Sequence, residues 1–198
     1  MELYVEKGTQ KLKNEFGRDL RFPKQFGDFA ETLVMYILGL KSWSVALIDH
    51  VGADIIAINK DSLLRRFAIS VKGRNFPSNE SKSFDFDKNN INKLCSTAEM
   101  LGMEAGVAFV FVDEQEEVKK IRILLARLSD LQMMASNSEV TFVNYNSKGG
   151  IQIKFTQSNR TNHLTAIKEN NRIFYSELTF NDINVFSESE ISSRNRWG

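Results

Sequence analysis

The sequence predicts an α/β protein with a mixed sheet and helices on both of its faces. Three observations predict it. An early amphipathic stretch, "GDFAETLVMYILGL" (27–40), has helical periodicity and precedes three short β-type runs. A second helical stretch then separates those runs from "AGVAFVFV" (105–112). That last run is so continuously apolar that it needs cover on both faces. The order α-β-β-β-α-β therefore combines antiparallel hairpins with one crossover helix.

Residues 8–16 fit a short basic amphipathic helix. In 27–40 the apolar face is expected to be Phe26, Phe29, Ala30, Leu33 and Ile37, with Gly39 ending the run. "SWSVALID" (42–49), "GADIIAIN" (52–59) and "RRFAISVKG" (65–73) read as strands, the second following a Gly turn. In "FDFDKNNINKLCSTAEMLG" (84–102), Asp87 suits a helix N-cap. Ile91, Leu94, Cys95, Ala98 and Leu101 share a face there, so Cys95 is expected in the core. "KKIRILLARL" reads as a strand and "SDLQMMA" as a short helix capped by Ser129 or Asp130. "VTFVNYNSKGGIQIKFTQ" reads as a hairpin turning at Gly149 and Gly150. "NHLTAIKEN" suits a helix, "NRIFYSELTF" a strand, and "SESEISSRNRWG" a polar tail.

The chain has 198 residues, enough for one domain with a substantial core. The expected division is a core over 1–136, a C-terminal β-rich extension of the same domain over 137–186, and a tail over 187–198. Net charge is +1, so DNA binding would need a local basic patch rather than a bulk field. One cysteine excludes an intrachain disulfide and fits a reducing, cytoplasmic setting. The charged first residues fit no signal peptide, and no run is long and apolar enough to span a bilayer, so no membrane partner is expected.

Four positions are candidates for chemistry. Glu31 falls between Val34, Met35 and Leu38 on the first helix, where a carboxylate needs either a partner or a path to water. Asp54 opens the second strand and Ser70 and Lys72 close the third, on the same face by alternation. Alone, each has a plain explanation: a helix-edge acid, a turn acid, a solvated strand-end lysine. Arg74 alone is a loop cation.

Their joint order resembles the PD-(D/E)xK nuclease superfamily, in its restriction-endonuclease-like and Holliday-junction-resolvase-like branch. The matching text is "FAETLVMYILGLKSWSVALIDHVGADIIAI" followed by "FAISVKGR", within roughly residues 26–127. The resemblance implies a restriction-endonuclease-like core, αβββαβ, with a C-terminal β-hairpin extension. It implies hydrolysis of DNA phosphodiester bonds with Mg²⁺ or Mn²⁺. Asp54 would be the central metal ligand, Lys72 would activate water or stabilise the transition state, and Glu31 would assist the metal or its water. Arg74 would contact a phosphate. A homodimer would place two sites on the two strands of a duplex, with the hairpin at 140–157 as the expected interface.

The departure is Ser70, where the superfamily pattern has Glu or Asp. Either the protein only binds nucleic acid or a partner on this fold, or the acid has moved. An S-x-K subgroup of restriction endonucleases supplies it from the following helix, which points here to Asp85 and Asp87, with Glu80 ranked lower. Asp87 as a mere helix cap is the competing explanation. Phe76, Phe84 and Phe86 stand close enough in sequence to touch bases or a partner. His50 and His163 are the only histidines, too few for a zinc cluster.

Overall fold

The computed structural model describes residues 22–76, 82–113, 119–137, 140–155 and 160–180. The expected helix at 8–16, Glu80 and the polar tail lie outside the described residues.

The chain runs α1 (Phe22–Leu40), β1 (Trp43–His50), β2 (Ala53–Asn59), β3 (Arg66–Phe76), β4 (Lys82–Phe86), α2 (Lys88–Met100), β5 (Glu104–Asp113) and β6 (Lys119–Arg127). It continues through α3 (Leu128–Asn137), β7 (Val143–Tyr145), β8 (Ile151–Phe155), α4 (Arg160–Glu169) and β9 (Ile173–Phe180). Six strands form a central sheet in the order β1-β2-β3-β5-β6-β9. Only β3 and β5 are parallel, joined through α2, and the other neighbours are antiparallel. The expected αβββαβ order and mixed sheet are therefore present, with β4 inserted before the crossover helix.

Two apolar layers hold the sheet. On one face Ala30, Val34, Ile37 and Leu38 of α1 pack against Ile55, Ala57, Ile69, Val71, Ala108 and Val110. On the other, Leu94 of α2, Leu131 of α3 and Ile167 of α4 pack with Val107, Phe109 and Phe111. Every residue from Gly106 to Phe111 is buried, as a central strand covered on both sides requires.

Three sequence expectations need correction. The buried stripe of α1 is Ala30, Val34, Ile37 and Leu38, while Phe29 is 42% exposed. The i, i+4, i+7, i+8 set wins over the one expected because Ala30 sits against β3 (see below) and fixes the helix's rotation. Cys95 is exposed. The buried residues of α2 are Ile91, Leu94, Thr97 and Ala98, which turn Cys95 outward. Phe84 and Phe86 are buried rather than offered to a partner. Phe84 lies 5.6 Å from the Phe109 ring and 5.2 Å from the Phe111 ring.

The hairpin β7–β8 forms at the expected place. Gly149 adopts φ 74°, and the Asn146 side-chain oxygen accepts from the amides of Lys148 (3.0 Å) and Gly150 (2.8 Å). β4 adds to β8, making a second, three-stranded sheet β4-β8-β7.

At the other margin of the central sheet, Glu177 of β9 gathers cations. Its Oε2 lies 3.1 Å from Arg122 Nε and 3.6 Å from Lys168 Nζ, and it accepts from the Tyr175 hydroxyl at 2.5 Å. Burial works against the charge, but the Tyr175 and Arg122 hydrogen bonds, with the charges of Arg122 and Lys168, outweigh it and hold this carboxyl down at about 2. A carboxyl depressed in the folded state stabilises above its unfolded value and loses that contribution as pH falls towards the folded one. Stability should thus decline between about pH 4.5 and pH 2 on this account. Urea unfolding across that window should show a shallower decline for Glu177→Gln than for wild type. Equal slopes would remove Glu177 from the acid response.

Candidate active site

At one end of the central sheet β1 ends, β2 begins and β3 ends. The β2–β3 ladder runs from Ile58↔Arg66 to Ile55↔Ile69, and from there Asp54 continues it with its side chain. Asp54 Oδ2 accepts the Val71 amide at 2.6 Å and the Ser70 hydroxyl at 3.2 Å. A carboxylate thus stands where a backbone carbonyl would have been the acceptor, and its orientation is fixed by the strand beside it. Ser70 is 3% exposed, so its hydroxyl is committed to Asp54. It positions the carboxylate and adds no charge.

Lys72, two residues on, leaves β3 on the same face. Its Nζ lies 5.8 Å from the centroid of the Phe86 ring, within reach of a cation–π contact. Phe86 is 0% exposed, so the ammonium rests on a rigid apolar floor.

Glu31 approaches from α1. Burial, then the negative charges of Asp54 and Asp28, push its carboxyl above the usual glutamate range, while Lys72 pulls it back. Glu31, Asp54 and Lys72 therefore share one electrostatic neighbourhood. Gly73 is what lets α1 come so close. A Cβ there would stand 2.9 Å from the Phe26 ring and 3.1 Å from Ala30 Cβ. Arg74 is exposed, and its Nη1 donates to the Gly73 carbonyl at 2.9 Å, which leaves further guanidinium donors turned to solvent.

Asp85 and Asp87 each have hydrogen-bond partners of their own. Asp85 alternates with the buried Phe84 and Phe86 and is exposed. Its carboxylate accepts from Ser83 at 3.0 Å and from Gln152 at 2.8 Å. Asp87 is the N-cap of α2, accepting the Asn90 amide at 2.8 Å and its side-chain amide at 2.7 Å. Among the described residues no group of three His, Cys, Asp or Glu side chains is arranged to hold a metal. His50 instead ends β1 and lies 3.3 Å from Thr97 Oγ1 of α2.

Asp54 and Glu31 offer carboxylate oxygens, the hard ligand type that Mg²⁺ takes. They do not make a closed all-protein cage. The like-charge tension between these two acids is what a cation there would relieve.

The sequence reading missed Gly73 and the place of Phe86. A glycine inside a β-type run marks close approach of another backbone or side chain, and that signal was present. Gly73→Ala should push α1 outward and carry Glu31 with it. A crystal structure of the variant would check this, and an α1 left in place would show that the notch does not set the helix position.

No family model matches this chain, and no curated protein matches it. Among solved structures, one similar chain is Hjc, a Holliday junction resolvase from Archaeoglobus fulgidus, at 16% identity and a TM-score of 0.43. The match covers 67% of this chain and 84% of that one. No helix among the described residues is long and apolar enough to cross a membrane.

Proposed function

We propose that the protein is a metal-dependent nuclease that hydrolyses DNA phosphodiester bonds, in the manner of the PD-(D/E)xK superfamily. One observation supports the reading: Asp54 is fixed by a hydrogen bond from β3, the strand that carries Lys72, and the charges of both act on the Glu31 carboxyl of α1. Phosphodiester hydrolysis needs these types. Asp54 and Glu31 would hold Mg²⁺ or Mn²⁺. The metal, when bound, neutralises charge on the phosphate and lowers the pKa of a water. Lys72 places a fixed positive charge where the pentavalent phosphorus gains negative charge. Arg74 holds a neighbouring phosphate and so sets the register of the strand. Ser70 keeps Asp54 oriented.

Asp85 and Asp87 remain proposals as a third ligand, since a substrate could draw β4 and the start of α2 inward. Calorimetry with Mn²⁺ in the presence of a DNA duplex decides. Unchanged affinity in Asp85→Asn and Asp87→Ser leaves Asp54 and Glu31 as the protein ligands, whereas loss in either assigns it. Ser70→Asp should tighten Mn²⁺ binding by supplying the carboxylate that the superfamily pattern has there.

The working unit we propose is a homodimer, one site per strand of the duplex. Light scattering that shows a monomer with and without DNA would refute the dimer and leave the nuclease reading standing. A binding-only domain on this fold is the second reading, favoured by the bare two-carboxylate donor set. DNA retention without cleavage in Mg²⁺ and in Mn²⁺ would establish it.

A further inference from the structure

We propose that the opposite end of the sheet carries a second binding site, for a planar aromatic anion. A hollow of about 680 Å³ opens there, where α1 ends and β3 and β5 begin. Asp54 and Lys72 lie at the other end of the same strands, so the two sites are separate. The volume falls in the range of about 300–1,000 Å³ usual for small-molecule pockets.

The walls decide the ligand's body. Trp43, Phe67 and Phe174 line the hollow, and each remains only partly buried by the core it packs on. Trp43 and Phe67 already pack ring to ring, with centroids 5.6 Å apart. Leu125, opposite Phe174 across β6 and β9, continues the apolar wall. Aromatic faces recognise a flat ring through offset or edge contacts that a flexible chain does not make.

The rim decides the charge. Arg65, Arg127 and Arg172 line the hollow together with the acid Asp130, and Glu104 pairs with Arg127 from outside it. Arg127 is held 3.4 Å from Glu104 and stands over the Phe67 ring at 5.8 Å, so it extends the aromatic wall with a cation. The other two have fixed backbones. Arg65 donates its amide to the Ser62 carbonyl, and its own carbonyl accepts from the Asn59 amide, both at 2.9 Å. The Arg172 amide donates to Asn170 Oδ1 at 2.9 Å. Three guanidinium groups beside an aromatic hollow, on backbone already ordered, suit a ligand that is flat, apolar and anionic at one edge.

The test uses the full chain and anilinonaphthalene sulfonate, an aromatic anion whose fluorescence reports an apolar site. Titration should saturate at one probe per chain. Arg65→Glu is a surface change that leaves the core intact, and it should weaken binding about tenfold or more. Leu125→Trp should fill the hollow and abolish binding. Decanoate, an anion of similar charge without a ring, should bind about tenfold more weakly. The proposal is overturned by non-saturable binding, by variants that bind the probe like wild type, or by decanoate binding as tightly as the aromatic sulfonate.

Discussion

Lys72→Ala should cut turnover on a DNA substrate by about 10²- to 10³-fold, the cost of removing one preorganised charge from a transition state. The side chain is half-buried on the Phe86 ring, and no hydrogen bond from it is seen among the described residues. Thermal unfolding should therefore stay close to wild type. Mn²⁺ affinity should also be kept, because the lysine repels a cation rather than binding it. Asp54→Asn should lose both turnover and Mn²⁺ affinity. That contrast separates a transition-state cation from a metal ligand, and single-turnover cleavage with parallel calorimetry reads it. Lys72→Arg should recover only part of the rate, because a planar guanidinium does not place its charge where an ammonium does. If Lys72→Ala cleaves like wild type, the site has been assigned to the wrong residues.

Gly52→Ala should be among the most destabilising single changes in the chain. Gly52 has φ 103°, a conformation that L side chains rarely adopt. An alanine Cβ there would lie 2.5 Å from both the carbonyl carbon and the oxygen of Lys93, and 2.8 Å from the Leu94 amide nitrogen. These are backbone atoms of α2, so no side chain can swing away. Relief would lift the β1–β2 turn off the helix and break the bond from Thr97 Oγ1 to the Val51 carbonyl, 2.5 Å long. Strain and the lost hydrogen bond together should cost about 3 kcal/mol. For a domain of this size that lowers the melting temperature by roughly 6–12 °C. Gly39→Ala is the control, because nothing lies within 4 Å of a Cβ there and the residue is helical. It should match wild type or melt slightly higher. If the two glycine variants melt alike, the packing of the β1–β2 turn on α2 has been misjudged.

Much of this architecture is legible in the residues. The run from Ala105 to Val112 reads directly as a strand covered on both faces, and Asp87 reads as a helix cap. The three strands before them follow from alternation and from the turn at Gly52. Other features depend on pairings that local pattern does not encode. β4 is five residues long and is a strand because β8 lies beside it. Cys95 and Phe29 sit at the margins of apolar stripes, and only the rotation of each helix on the sheet decides that they face outward. The site divides in the same way. Alternation puts Ser70 and Lys72 on one face of β3, but bringing Asp54 of β2 beside them takes the β2–β3 register. The hydrogen bond from Ser70 to Asp54, the Phe86 floor under Lys72 and the Gly73 notch for α1 are tertiary facts. The S-x-K pattern and the expected return of the crossover helix past the end of β3 point to Asp85 and Asp87. The strand pairing of β4 and the capping of α2 give both carboxylates other partners.

The most direct measurement of the central claim is a crystal structure of the protein with a DNA duplex and Mn²⁺, read by anomalous scattering. The account predicts a peak bonded to Asp54, within reach of Glu31, with a DNA phosphate oxygen in its shell and Lys72 facing that phosphate. A bound duplex whose phosphates lie elsewhere, with no anomalous peak at Asp54, would contradict it.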